Sequence, residues 1–321
     1  VKNYSVKQYT TVDYSVWNSF LSNSKNGTFL LHRDFMEYHQ DRFLDCSFLI
    51  FEETKLIAIL PANRTKSELY SHQGLTYGGV LYSKNSSFES IFNATNTLFI
   101  HLKQIGISSF YIKNIPSIYC KFPSNEIDYI LFLSKAILVS KEVLLAVNLK
   151  THVVFTKGKQ EGVLKGTKNN LIVVEEPNFE LFWEQILVPN LQLKHKTKPT
   201  HSWQEMEYLH KKFPKKIRQF NVYYNNKIVG GTTIFETEMV AHTQYISGNE
   251  SKNTLGTLDF LFHYLIKNVF SAKSFFSFGT SSCSDSARNI NHGLHFWKQG
   301  FGTTVYLQEM YRLDLDNFSM D

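Results

Sequence analysis

Two short stretches of this sequence hold the residue types best suited to moving protons. In Ala241-His242-Thr243-Gln244-Tyr245 a histidine, an amide and a phenol fall within four positions. On an extended chain, alternation puts His242 and Gln244 on one face and Tyr245 on the other. An imidazole with its ordinary pKa near ~6.5 can accept a proton at neutral pH, which makes His242 a candidate general base. A buried, hydrogen-bonded pair accounts for the same two residues. In the first half, His72, Gln73 and Tyr77 stand beside Gly74, Gly78 and Gly79. Those glycines permit close backbone approach to a ligand, and they equally serve a tight turn. Near the C-terminus Asn291 and Lys298, seven residues apart, share a helix face about two turns apart. Lys298 can hold a phosphate or carboxylate, or it can complement the helix dipole.

Other chemistries lack support. The sequence has no Gly-x-Ser-x-Gly elbow, no phosphate-binding loop of the Gly-x4-Gly-Lys kind, no HExxH pair and no dinucleotide fingerprint. Its three cysteines, Cys46, Cys120 and Cys283, are an odd number with no CxxC spacing, so neither a disulfide framework nor a zinc site is expected, and no metal is assigned. No apolar run approaches the ~18 residues a membrane span needs. The opening residues VKNYSVKQYTTVDYS also lack the basic-then-apolar pattern of a secretion signal, so the expectation is a cytoplasmic protein. The net charge is +6, and the middle third is basic: Lys157, Lys159, Lys165 and Lys168, then Lys194, Lys196 and Lys198, then Lys211, Lys212, Lys215, Lys216 and Arg218. Such a region attracts phosphate-bearing ligands or is a solvated helix face.

The elements that must position these residues repeat. Residues 48–63 (FLIFEETKLIAILPAN) read strand, polar turn, strand, and residues 220–236 (FNVYYNNKIVGGTTIFE) follow the same rhythm. Each hairpin runs into its own histidine segment, and a helix and one more strand follow in both halves. A repeat of this length points to duplicated domains, 1–150 and 151–321, sharing one binding cleft. In the first half the patterns predict a strand over Tyr4–Tyr9, helices near 14–22 and 34–42, and strands near 46–52, 55–62 and 67–72. Apolar spacing from Phe88 to Leu102 predicts a helix that stops at Gly106, followed by strands at Ser109–Lys113, Asp128–Leu133 and Val143–Leu149. The polar stretch 152–170 reads as a structured, helix-compatible bridge. In the second half a strand at Leu171–Glu175 precedes helices near 178–190 and 201–213. Strands follow near 217–224, 227–236 and 239–247, then a helix over 255–270, a strand at 274–279, a helix near 286–299 and two strands ending at Leu313.

That order resembles the GNAT acyltransferase fold in both halves. Several stretches also resemble the FemAB-like branch, in which two such domains stand in tandem. They are Ile115-Pro116-Ser117-Ile118-Tyr119, Pro199-Thr200-His201-Ser202, Phe213-Pro214-Lys215-Lys216-Ile217, His242-Thr243-Gln244-Tyr245, Phe278-Gly279-Thr280-Ser281, Asn291-His292-Gly293-Leu294 and Lys298-Gln299-Gly300-Phe301-Gly302. The resemblance implies an α+β protein of two tandem GNAT-like domains, each a mixed, mostly antiparallel sheet flanked by helices.

It further implies an N-acyltransferase that moves an acyl group onto an amine or amino-sugar acceptor, in cell-envelope or polysaccharide biosynthesis. Acetyl-CoA or another acyl-CoA is the expected donor. Under that implication His242 or His72 serves as base, Tyr245 or Tyr77 as proton donor, and Gln244 and Gln73 contact substrate. The cofactor would lie along Ser247, Gly248, Asn249, Lys252 and Gly256, with Asn291 and Lys298. Of the usual basic-x-x-Gly-x-Gly/Ala pattern only Lys252 and Gly256 are echoed, and Asp259 adds negative charge to the same helix start. Two alternatives stand beside this reading: a transferase that takes its aminoacyl group from tRNA, and a non-catalytic, GNAT-shaped carbohydrate-binding protein. The sequence leaves the oligomeric state open.

Overall fold

Strands form where apolar residues alternate or run together. A computed structural model, describing residues 2–283 and 286–319, sorts them into two units. Of the described residues, one unit holds the chain up to Glu142, residues 286–288 and the stretch from Leu307; the other holds Val143–Cys283 with Asn289–Tyr306.

The first unit contains β1 (Tyr4–Gln8), α1 (Tyr14–Asn23), α2 (Arg33–Met36), β2 (Phe48–Glu52), β3 (Lys55–Leu60), β4 (Asn63–Thr65), β5 (Glu68–Tyr70), β6 (Leu81–Tyr82), α3 (Phe88–Gln104), β7 (Ser109–Lys113) and α4 (Glu126–Leu133). Strands β1-β2-β3-β6 form an antiparallel sheet, and β4-β5-β7 form a second group in which β5 and β7 run parallel. Helix α3 is long because its apolar residues keep a helical period. Ser87 caps its start by accepting from the Ser90 amide at 3.2 Å, and Gly106, with φ +78°, turns the chain away just past its end. Its buried face, Ile91, Ala94, Leu98, Phe99 and Leu102, packs on Phe48, Ile50, Phe110 and Ile112. Each such large side chain contributes about 1.5–3 kcal/mol by leaving water.

The second unit begins within β8 (Ile137–Asn148). It continues through α5 (Lys157–Lys168), β9 (Ile172–Glu175), α6 (Phe179–Phe182), a π-helical turn at Trp183–Leu187, α7 (Val188–His195), α8 (Trp203–Lys212), β10 (Ile217–Tyr224), β11 (Lys227–Glu236) and β12 (Val240–Gly248). Then come α9 (Lys252–Leu255), α10 (Thr257–Tyr264), β13 (Phe275–Thr280), β14 (Ser282–Cys283), β15 (Ser286–Ile290), of which 286–288 belong to the first unit, α11 (His292–Gln299) and β16 (Thr304–Asp314), whose residues from Leu307 also belong to the first unit, the last of them pairing with β7 within it. Its strands run in the order β9-β10-β11-β12-β13-β8, antiparallel except for β12 beside β13. The β10–β11 turn is made by Asn225 and Asn226, both in left-handed conformation (φ 48° and 59°), the geometry a two-residue hairpin prefers. Phe262, Phe276, Phe278 and Phe301 form an aromatic core between α10, β13 and the end of α11.

Three expectations are corrected. Asp128–Leu133 is helix, not strand. Ile127, Ile130 and Leu131 are its buried residues at helical spacing, and a run this short does not reveal its period in sequence. The predicted helix 286–299 begins only at His292, because Asn291 caps it by accepting from the Leu294 amide at 3.0 Å, and 286–290 is a strand. The two final strands are one, β16.

Candidate active site

Strands β12 and β13 are neighbours for only part of their length. Their parallel register covers Val240–Phe275, Ala241–Phe276 and His242–Ser277, whereas β12 runs on to Gly248 and β13 to Thr280. Each strand also carries a register shift at the place of parting, on the side of its other neighbour. On β12 the pairing with β11 steps from Ile234–Thr243 to Thr233–Tyr245, so Gln244 is the extra residue. On β13 the pairing with β8 steps from Ser277–Ala146 to Thr280–Leu144, across Phe278 and Gly279, and Gly279 has φ +71°. Bulges bend a strand and take a residue out of its ladder, and here two of them steer the strands apart. The glycine within the β13 strand was the sequence signal for the second bulge.

The side chains at this point are tied to one another. His242 Nδ1 lies 3.2 Å from Ser277 Oγ, which also accepts from the Gly279 amide at 3.2 Å, and Thr243 Oγ1 donates to the Ser277 carbonyl at 3.1 Å. Gly279 sits against the imidazole, since a Cβ there would stand 3.3 Å from His242 Cε1. Lys298 enters from α11 and donates to the carbonyl oxygens of Gly279 (3.2 Å) and Thr280 (2.6 Å); its side chain is almost wholly buried. Burial pulls its ammonium down to a pKa of about 8. Burial first, and then the Lys298 charge, push His242 down to about 4. At neutral pH the pair is therefore a neutral imidazole beside a buried cation. Ser277 is the residue here that sequence reasoning passed over, because nothing local marks a serine as the end of a ladder.

Tyr245 belongs to a different arrangement. Its hydroxyl lies 2.5 Å from His201 Nδ1 and accepts from the His201 amide at 3.1 Å. The indole of Trp183 packs edge-on against its ring and donates to the His201 carbonyl at 2.9 Å. Burial raises the Tyr245 hydroxyl to about 12. The bulge at Gln244 interrupts the alternation that would have placed Gln244 on the face of His242.

In the first unit the corresponding chain divides, β5 staying with β7 and β6 with β3. Residues 71–78 connect them, with Gly78 bridging Asn114 and so close to Ser71 that a Cβ would meet its carbonyl oxygen at 1.8 Å. His72, in left-handed conformation (φ 70°), is buried against the rings of His39 and Phe43, both 5.4 Å away between centroids. Burial, then His39 and Arg33, push it down to about 3. Gln73 exchanges two 2.8 Å hydrogen bonds with Asn63, and Tyr77 is buried, donating to Thr28 Oγ1 at 3.1 Å. His72 and Tyr77 are buried there, whereas Gln73 is exposed.

Ser247, Gly248, Lys252 and Asn253 line a cavity of about 470 Å³ together with Lys159 and Lys165 of α5, Asp259 of α10 and Trp297 of α11. The expected coenzyme A would set its diphosphate on the amides between β12 and α10, so those amides test the fit. Five of them are already bonded: Asn249 N to the Val229 carbonyl, Ser251 N to Asn249 Oδ1, Lys252 N to the Asn249 carbonyl, Leu255 N to the Ser251 carbonyl and Gly256 N to the Lys252 carbonyl. The first turn of α10 holds the Asp259 carboxylate, paired with Lys159 at 2.7 Å. Ser247 Oγ accepts from Asn190 at 2.9 Å, and Asn291 caps α11. The residues present do not fit a diphosphate at this helix. Among the described residues no group of three His, Cys, Asp or Glu is placed to hold a metal ion, and no helix is long and apolar enough to cross a membrane.

No protein-family model matches the sequence, and no curated protein does. Solved structures do resemble it. FemX superposes with a TM-score of 0.68 at 9% identity, over 97% of each chain. The structure of L-PGS from Bacillus licheniformis gives 0.55 at 13% identity, over 86% of this chain and 90% of that one. A tandem GNAT protein from the clavulanic acid biosynthesis pathway gives 0.52 at 10% identity, over 98% and 99%. At these identities the likeness is one of fold: the chain has the tandem GNAT-like α+β fold shared with FemX.

Proposed function

We propose that this chain transfers an acyl or aminoacyl group to an amine, with the reaction centre in the second unit where β12 and β13 part. The observation that carries the reading is the end of the parallel ladder at His242 and Ser277, with Gly279 and the Lys298 ammonium at the same place. Strand edges released from each other can pair with an extended substrate arm, as open sheet edges do with peptides. When an amine attacks an acyl carbon, the C–N bond forms and negative charge gathers on the carbonyl oxygen. A preorganised positive group is then worth about 10²–10³ in rate. Lys298 is that group. The carrier oxygen leaves as the C–O bond breaks and takes up the proton the amine gives away. His242, neutral at pH 7, is the titratable group beside the parting strands that can carry this proton. Tyr245, bound to His201, positions the β12 bulge.

The Asp259 carboxylate in the first turn of α10, with five of the preceding amides already bonded, favours an ester-linked donor over acyl-CoA. Aminoacyl-tRNA is a donor of that class, and the exposed Lys211, Lys212 and Lys215 suit a polyanionic carrier. The acceptor is a small amine or amino sugar, in keeping with a role in cell-envelope or polysaccharide assembly.

The test is to incubate the protein with charged tRNA, or with acyl-CoA, and a pool of amino sugars and amine-terminated peptides, reading amide formation by mass spectrometry. Transfer that disappears in Lys298→Met is expected. No amide from either donor, with carbohydrate still taken up by the protein, would replace this reading with that of a binding protein.

A further inference from the structure

Helix α5 meets α10 along contacts that only glycine permits. A side chain at Gly162 would strike Asp259 Oδ2 at 2.1 Å, one at Gly166 would strike Phe260 Cβ at 2.5 Å, and one at Gly256 would lie 2.1 Å from the Gly162 carbonyl oxygen. The backbone of α5 is thus seated on the first turn of α10. From that seat Lys159 reaches Asp259 at 2.7 Å, and its ammonium lies 4.6 Å and 4.3 Å from the ring centres of Trp297 and Phe301. The far side is held by α11: Thr156 N donates to the Gly300 carbonyl at 2.9 Å, and a Cβ on Gly300 would meet Lys159 Cε at 2.9 Å. An aligned helix start attracts negative charge. Here the chain supplies that charge itself, and Lys159, the lysine seated at that helix start, is already paired with it.

We propose that helix α5 selects the donor: through the Lys159–Asp259 pair it closes the α10 terminus to acyl donors carried on a diphosphate, and it leaves the β12–β13 gap to acyl esters whose carrier is held without one. The proposal rests on the acyl-transfer reading of that gap, but its test measures binding alone, so either can fail without the other. Wild type, Asp259→Asn and the double variant Asp259→Asn/Lys159→Met are titrated calorimetrically with acetyl-CoA and with inorganic pyrophosphate at low salt. Wild type is expected to give no saturable binding. Asp259→Asn leaves Lys159 an uncompensated cation and is expected to bind both anions at least about tenfold more tightly than wild type, an effect lost in the double variant and at high salt. Saturable acetyl-CoA binding to wild type that pyrophosphate displaces overturns the proposal without any variant, which covers the case of a variant that fails to fold. An Asp259→Asn protein that melts like wild type yet gains no affinity overturns it too.

Discussion

The Lys298 ammonium lies 2.6 Å from the carbonyl oxygen of Thr280, so a buried cation is anchored to the strand that turns away from β12. Backbone carbonyls hold the charge in place without cancelling it, which is what a group meant to meet a developing oxyanion requires. Lys298→Met keeps most of the side-chain volume and removes the charge. It is expected to lower the transfer rate about 10²–10³-fold. Rapid-quench measurement of a single turnover, compared with the melting temperature, separates this from a folding defect; a variant with wild-type rate would remove Lys298 from the reaction.

The same lysine sets an alkaline limit. Folded, it titrates near 8, against 10.5 for an ordinary lysine. Between those values the unfolded chain holds the extra proton, so this group makes stability rise with pH over that window, while the cation needed for transfer is lost. Activity is therefore expected to fall through pH 8 as the protein itself does not weaken. In Lys298→Arg the alkaline limb should leave the measurable range. A limb unmoved by that substitution would assign the titration to another group.

Acid acts in the opposite direction through the buried histidines. His242 near 4 and His72 near 3 both sit below the ordinary 6.5. Below 6.5 the unfolded chain takes up protons that the folded one refuses. Stability is thus expected to drop as pH falls from 6.5 toward 4 and 3, by up to about 1.4 kcal/mol per pH unit for each histidine. His72→Asn, which tolerates the left-handed backbone, should flatten this slope in urea titrations at pH 4–7.

Gly279→Ala adds a methyl group at φ +71° and 3.3 Å from His242 Cε1. The backbone strain costs about 1–2 kcal/mol, and the imidazole must move. The expected outcome is a folded protein with a modestly lowered melting temperature and a rate reduced far more than stability. Equal losses in both would mean that the glycine serves only the bulge.

Tyr245→Phe separates a proton donor from a brace. Loss of the hydroxyl leaves His201 without its 2.5 Å partner and is expected to cost about 1–3 kcal/mol of stability. The rate of the folded enzyme should change less than tenfold, whereas loss of a true acid–base group would lower it about 10²–10⁴-fold.

Much of this fold could be read along the chain because its causes are local. The hairpin Ile217–Glu236 follows from two apolar runs around Asn225-Asn226, and α3 follows from helical spacing between Ser87 and Gly106. The fold failed to show where the local signal was ambiguous, at Asp128–Leu133, whose six residues suit a strand or a helix equally. His242, Gly279 and Lys298 were all visible as residues, and His242 and Lys298 as candidates. What only the tertiary structure decided is how they act. Gly279 marks a bulge in β13, but that the β12–β13 ladder stops at Ser277 depends also on the β12 bulge at Gln244 and on the pairing with β11 and β8, which no local signal shows. Nor does it show that Tyr245 is tied to His201, or that α5 lies on α10, placing Lys159 against Asp259 one hundred residues away. Pairings across such distances are chosen by packing and by the satisfaction of buried polar groups, and those terms exist only once the chain has folded.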